Sequence, residues 1–205
     1  MKVLIIDYGM GNVGSVKRAL EECGAGEVVI SHYPSDFDDC THAVLPGVGA
    51  FPDAMANLRS KGLVEKIRHL ALEDKVPLLG ICLGMQLLAT KGTEVREEEG
   101  LELIPGSVVP LVPISGERVP HVGWNELKIE RPDDPMMHGI RNMSDFYFVH
   151  SFHFQPADPA YSLTTTPYCG NFVSMVRSGN IIGTQFHPEK SSSTGFQLLR
   201  NFLTI

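Results

Sequence analysis

Residues 2 to 91 alternate short β-rich runs with helical patterns, and that alternation leaves few folds open. Lys2 to Asp7 is a strand by its Val, Leu and Ile content. A Gly-rich turn follows, then an amphipathic helix with Val13, Val16, Leu20 and Cys23 at helical spacing. Glu27 to Ser31 is the next strand, and His42 to Leu45 leads into PGVGAF. Helices are expected from about Pro52 and from about Leu63 to Leu72. Pro77 to Ile81 is a buried strand that breaks at Cys82 into the helix LGMQLLATK. This βαβ order predicts an α/β fold: an open, mostly parallel sheet with helices on both faces.

After about Ser107 the pattern changes to strands and turns: SVVPLV, WNELKI, FYFVHSF, FVSMV and IIGTQF, with a hairpin turn expected at Ser178 to Asn180. An antiparallel region is therefore added to the parallel sheet, and a final amphipathic helix, GFQLLRNFL, follows it. The acidic stretch EVREEEG reads as a solvated loop. With 205 residues, no repeat and no linker, residues 1–205 are expected to form one domain.

A formal net charge of −7 argues against a broad nucleic-acid footprint, which needs clustered Lys and Arg. No apolar run approaches the roughly 20 residues of a membrane span, and the first residues lack a signal-peptide cleavage site. A soluble, cytoplasmic protein is expected. Cys23, Cys40, Cys82 and Cys169 are far apart and include no CxxC pair, so neither a metal site nor a disulfide framework is expected, and no cofactor is implied.

Gly80, Ile81, Cys82, Leu83 and Gly84 reproduce the G-x-S-x-G elbow with Cys for Ser, at the strand-to-helix junction where that elbow belongs. At this chain's Gly and Cys frequencies such a match arises about 0.04 times by chance, so coincidence is a poor explanation. The two glycines let neighbouring backbone close around the nucleophile, and the helix N-terminus favours negative charge on the sulfur. The N–H of Leu83 would face a developing oxyanion. A base is supplied by FHPEKS: Pro188 holds His187 extended, and Glu189, two residues on, projects to the same side and can orient the imidazole.

GICLGMQLL and FHPEKS resemble the two signatures of class I, triad-type glutamine amidotransferases. LPGVGAF (Leu45 to Phe51), PHVGWN (Pro120 to Asn125) and YFVHSF (Tyr147 to Phe152) resemble, within that family, the glutaminase subunits of imidazole glycerol phosphate synthase. IDYGMGN and EGLELIPG fit the same pattern. Met85 stands where anthranilate and aminodeoxychorismate synthase subunits show the His of GHQ.

The resemblance implies a flavodoxin-like amidotransferase fold and hydrolysis of glutamine to glutamate and ammonia by Cys82, His187 and Glu189. Ammonia would pass to a (β/α)8 barrel cyclase subunit in a heterodimer, for synthesis of imidazole glycerol phosphate and an aminoimidazole carboxamide ribotide. It further implies an oxyanion hole from Leu83 and the loop Gly47, Val48 and Gly49, held turned away until the partner is occupied. The glutamine pocket would contain Gly47, Gln86, His150, Ser151 and Phe152. Tyr147 and Lys190 would face the partner and the ammonia path, with His121, Trp124 and Asn125 as further interface candidates. For Trp124 a core position is an equal expectation. The stretch FHFQPADPAYSL and the following TTTPYCGNF are longer than the plainest family pattern. They leave open a paralogue that feeds a sugar amidination pathway, while a stand-alone Cys hydrolase would share the same framework.

Overall fold

The computed structural model describes residues 1–205. Its first part is built from β1 (Lys2–Ile6), α1 (Val13–Glu22), β2 (Glu27–Ser31), β3 (His42–Gly47), α2 (Phe51–Ser60), α3 (Leu63–Leu72), β4 (Leu78–Cys82) and α4 (Leu83–Leu87). The later strands are β5 (Lys91–Gly92), β6 (Glu98–Glu99), β7 (Gly106–Pro110), β8 (His121–Ile129), β9 (Ser144–His150), β10 (Phe152–Pro156), β11 (Ser162–Thr166), β12 (Phe172–Ser178) and β13 (Ile181–Thr184). Helix α5 (Ser192–Phe202) ends the chain.

One nine-stranded sheet runs in the order β2-β1-β3-β4-β13-β12-β11-β8-β9. Its first five strands are parallel, and from β13 onward every pairing is antiparallel. This is the α/β sheet with an antiparallel addition that the alternation of elements implies. Side chains alternate across it as strand geometry requires. Leu4, Ile6, Ala43, Leu45 and Leu78 face a core shared with α2 and α3, whereas Val3, Ile5, Val44, Leu79 and Ile81 face one shared with α1 and α5. The parallel strands are thus apolar on both faces, which is why they read as continuous runs rather than alternating ones. The β12–β13 hairpin turns at Gly179 and Asn180, with Gly179 at φ +60°. No helix is long and apolar enough to cross a membrane.

Two local readings need correction, and one stretch left open is placed. The helix after Cys82 stops at Leu87 instead of reaching Lys91, because the segment after the acidic stretch straps across its end. Leu101 N–H donates to Leu87 O, Leu103 and Ile104 to Leu88 O, and Glu102 to Ala89 O, satisfying carbonyls that a longer helix would have used. EVREEEG is not merely solvated: Glu98 pairs with Arg59 and Arg96, and Glu94 Oε2 accepts the Phe51 N–H at the start of α2 at 2.8 Å. Finally, Ser162 to Thr166 is a strand joining β12 to β8, and Phe152 to Pro156 pairs with β7 in a second, four-stranded sheet. The stretch that looked like an elaboration of the family pattern is therefore woven into both sheets.

The antiparallel half curls back on the parallel half. Strand β9 is last in the sheet order, yet Tyr147 O accepts the His187 N–H at 2.9 Å and Tyr147 N–H donates to Ser191 Oγ at 3.0 Å. The segment that leaves β13 is thereby fixed over the carboxyl ends of β3 and β4, where open α/β sheets bind ligands.

Close approach of α4 to β3 is the tightest constraint. A Cβ on Gly84 would overlap the carbonyl oxygen of Leu45, whereas one on Gly14, in α1, would meet nothing within 4 Å. Gly84→Ala is therefore expected to cost at least about 3 kcal/mol, and Gly14→Ala to gain about 0.5–1 kcal/mol, as read from denaturant midpoints at constant m. Equal midpoints for the two variants would refute this assignment of strain.

Candidate active site

Cys82 ends β4 with φ +55° and ψ −109°, a conformation that a residue with a side chain adopts only under constraint. The constraint is visible in the glycines around it: a Cβ on Gly80 would lie 2.6 Å from Gly84 O, and Gly84 itself is pressed on Leu45 O. The sharp turn leaves the thiol 7 % exposed, above the start of α4.

His187 reaches the same point from the end of β13. Its backbone is clamped by Tyr147 O and by Ser191 Oγ, which donates to His187 O at 2.6 Å. Its φ and ψ of −98° and 95° are extended, as the following proline demands. Nδ1 lies 2.8 Å from Glu189 Oε1, and both side chains are almost wholly buried. Because that carboxylate oxygen accepts, Nδ1 carries the proton and Nε2 is left to act; Nε2 has no hydrogen-bond partner. Burial opposes charge on His187, but Cys82 and Glu189 beside it outweigh burial and raise its pKa, which favours the imidazolium formed when the thiol gives up its proton. The Cys82 thiol donates to Val149 O at 3.7 Å.

A cavity of about 240 Å³ opens over the sulfur, lined by Val48, Gly49, Cys82, Leu83, Gln86, Glu94, Val149, His150, Ser151, Phe152 and His187. It is smaller than the about 300–1,000 Å³ of drug-sized sites, which suits an amino acid. A larger groove of about 480 Å³ beside Arg59 and Arg68 contains neither the thiol nor a histidine. Of the expected pocket residues only Gly47 stays out of the lining; it is buried beneath, paired with Cys82 across β3 and β4. In the loop above it the Val48 N–H donates to Met10 O at 3.0 Å, and Gly49 stands at φ +111°. The motif IDYGMGN thus supports this loop from below.

A profile of the family described as "Glutamine amidotransferase class-I" matches residues 4–205. The chain belongs to that family. It is 47 % identical over 200 residues to the imidazole glycerol phosphate synthase subunit HisH of Moorella thermoacetica, covering 98 % of this chain and 93 % of the relative. The HisH subunit of Aquifex aeolicus is 45 % identical over 202 residues, with 98 % and 96 % covered. Among solved structures, a glutamine amidotransferase superposes with TM-score 0.75 at 19 % identity, over 98 % of this chain and 97 % of the other. PurLQS from Thermotoga maritima gives 0.74 at 20 %, over 99 % and 97 %. These last two likenesses concern the fold.

In this amidotransferase the residues expected at the partner side separate into two groups. Trp124 is 54 % exposed, its ring 6.0 Å from that of Tyr147 across the β8–β9 pair, so the core position is excluded. Lys190 is exposed and Asn125 half-buried. His121 is not at the surface. It is 3 % exposed, stacked on Tyr168 and Phe148, because along β8 it points opposite to exposed Val122.

His121 and His150 form a buried pair, Nδ1 to Nε2 at 3.0 Å. Its proton order is determined: His150 Nδ1 must donate to Phe152 O (2.8 Å), so His150 Nε2 accepts from His121, whose Nε2 accepts from Asn125 Nδ2 at 3.2 Å. Sequence reading missed two side chains, Glu94 in the cavity lining and Gln185 against the Cys82 sulfur. Glu94 was hidden in a charge run, with no local signal. Gln185 sat inside a strand motif, although its spacing of two from His187 places both on one side.

Burial lowers the pKa of His121 to about 4 and that of His150 to about 3, the latter despite its bond to Phe152 O. In the unfolded chain both titrate near 6.5, so between roughly pH 3 and 6.5 the unfolded state binds more protons and stability rises with pH. His42 and His153, also lowered by burial, add to that slope. Stability is expected to fall by on the order of 1 kcal/mol per paired histidine between pH 7 and 5. His121→Gln should flatten the dependence; urea midpoints at the two pH values, with an unchanged slope in the variant, would contradict it.

Proposed function

We propose that this chain hydrolyses glutamine through a Cys82, His187 and Glu189 triad and hands the ammonia to a (β/α)8 cyclase subunit in a heterodimer. There it would serve the synthesis of imidazole glycerol phosphate and aminoimidazole carboxamide ribotide in histidine biosynthesis. The observation that carries the chemistry is the strained thiol and the unpartnered His187 Nε2 facing one cavity. The acceptor pathway is supported by full-length relatives named imidazole glycerol phosphate synthase subunit HisH.

In this reading Cys82 turns from Val149 O and gives its proton to His187 Nε2. The sulfur attacks the side-chain amide carbon, and the C–N bond breaks as His187 returns the proton to the leaving ammonia. Water then attacks the glutamyl thioester, its proton taken by His187, and the thiolate leaves. Glu189 holds the imidazole throughout. Gln86 spends both Nε2 hydrogens on Phe152 O and Gln185 Oε1, so its free atom is Oε1, an acceptor. That atom and the Glu94 carboxylate suit the α-ammonium of glutamine, while His150, Ser151 and Phe152 form the opposite wall.

The oxyanion would be held by the N–H of Leu83 and by the Val48 or Gly49 N–H. Val48 N–H can serve only after releasing Met10 O, which supports a gated enzyme. The gate adjoins the docking face: Val48, Val122, Trp124 and Val149 are exposed apolar side chains at and beside the cavity mouth, with Tyr147 among them. Lys190 is assigned to the same interface, and Asn125 and His121, bonded to each other on the opposite face of β8, act from beneath it.

Glutaminase turnover of the chain alone, with a barrel subunit, and with that subunit plus its nucleotide substrate tests this reading. Turnover should rise by about 5- to 150-fold when the partner is occupied, and Cys82→Ala should abolish it. Full activity of the isolated chain would instead identify a stand-alone hydrolase. Glu94→Gln should raise KM by roughly tenfold with little change in kcat, the signature of lost ground-state binding; an unchanged KM would remove Glu94 from the pocket.

A further inference from the structure

One neighbour of the Cys82 sulfur has no part in the mechanism above. Gln185 is fully buried just after β13, and its Nε2 donates to Cys82 Sγ at 3.7 Å. A buried primary amide is costly unless its polar atoms are satisfied, so its placement against a thiol needs a reason.

Its orientation is fixed at both ends. Gln185 Oε1 accepts from Gln86 Nε2 at 3.1 Å, and reversing the Gln185 amide would set two NH2 groups against each other. Gln86 cannot reverse either, because its Nε2 also donates at 2.9 Å to Phe152 O, an atom that only accepts. That carbonyl is shared with His150 Nδ1, and so with the His121 and Asn125 relay. The donor end of Gln185 therefore faces the sulfur by construction, and the backbone holds it there through Gln185 N–H to Ser174 O at 2.9 Å.

We infer that Gln185 is the amide donor that stabilises the thiolate of Cys82, both when it forms and when it leaves the glutamyl thioester. An N–H group bonds a thiolate more strongly than a thiol, so it biases the sulfur toward the reactive form. His187 gains and loses a proton in each half-reaction; Gln185 cannot titrate and keeps its hydrogen throughout. It thus holds the negative charge while the imidazole is occupied with the proton. The inference rests on Cys82 being the nucleophile.

The test uses the full-length chain with Gln185→Met, which keeps length and burial but removes the donor. Iodoacetamide alkylation is followed against pH, with mass spectrometry locating the adduct. The midpoint for Cys82 should move up by about one pH unit, a tenfold loss of thiolate below the midpoint. With the barrel partner present, kcat should fall while KM stays within about twofold. A profile superimposable on that of the native chain overturns the role of Gln185 and leaves the nucleophile untouched. Failure of the native chain to alkylate at Cys82 would sink the nucleophile reading, and this one with it. Should Gln185→Met not fold, the side-chain amide resonance of Gln185 in the native chain decides. It is expected to shift with the alkylation midpoint, and a flat titration overturns the inference.

Discussion

A backbone contact governs this molecule: Gly84 rests on the carbonyl of Leu45 with no room for a side chain between them. That contact draws the start of α4 against β3 and forces Cys82 to positive φ at the strand's last residue. It also sets the cavity floor, since Gly47 is paired with Cys82 and lies beside the Gly84 amide. Conformational energy of order 1–3 kcal/mol is held there by the two cores that clamp the sheet from either face.

The antiparallel half looks at first like an appendage to a five-stranded parallel sheet. Its curl gives it a purpose, because β9 carries the Tyr147 groups that clamp His187 and the Val149 carbonyl that takes the Cys82 thiol. Cys82 and His187 therefore come from adjacent parallel strands, while their relative placement is imposed by a strand that is remote in the sheet order. Glu189 needs less help, being carried by the short turn that follows His187.

What could be read in the sequence was local. The elbow is a five-residue pattern with a steric cause, and His187 with Glu189 is a spacing of two in an extended segment, so neither needs knowledge of distant contacts. The parallel strands announced themselves because both faces are buried. By contrast, α4 ends early because residues 101 to 104 cross it, and Glu94 enters the cavity through a bond to Phe51, a residue 43 positions away. Ser162 to Thr166 pairs on both sides, yet it lacks the apolar run that marked the other strands. The direction of the Val48 N–H is a peptide-plane choice that composition does not encode. Trp124 could not be placed from sequence because its exposure depends on which face of β8 the curl turns outward.

The clamp on His187 has a consequence of another kind. An edge strand with free N–H and C=O groups invites pairing with other chains. At Tyr147 both backbone groups of β9 are taken, by His187 and Ser191. The segment that presents His187 thus also covers the sheet's last edge at Tyr147. A lesion that loosens Ser191 would unseat the imidazole and uncover a strand bearing exposed Val149, so displacement of His187 and loss of solubility would arrive together.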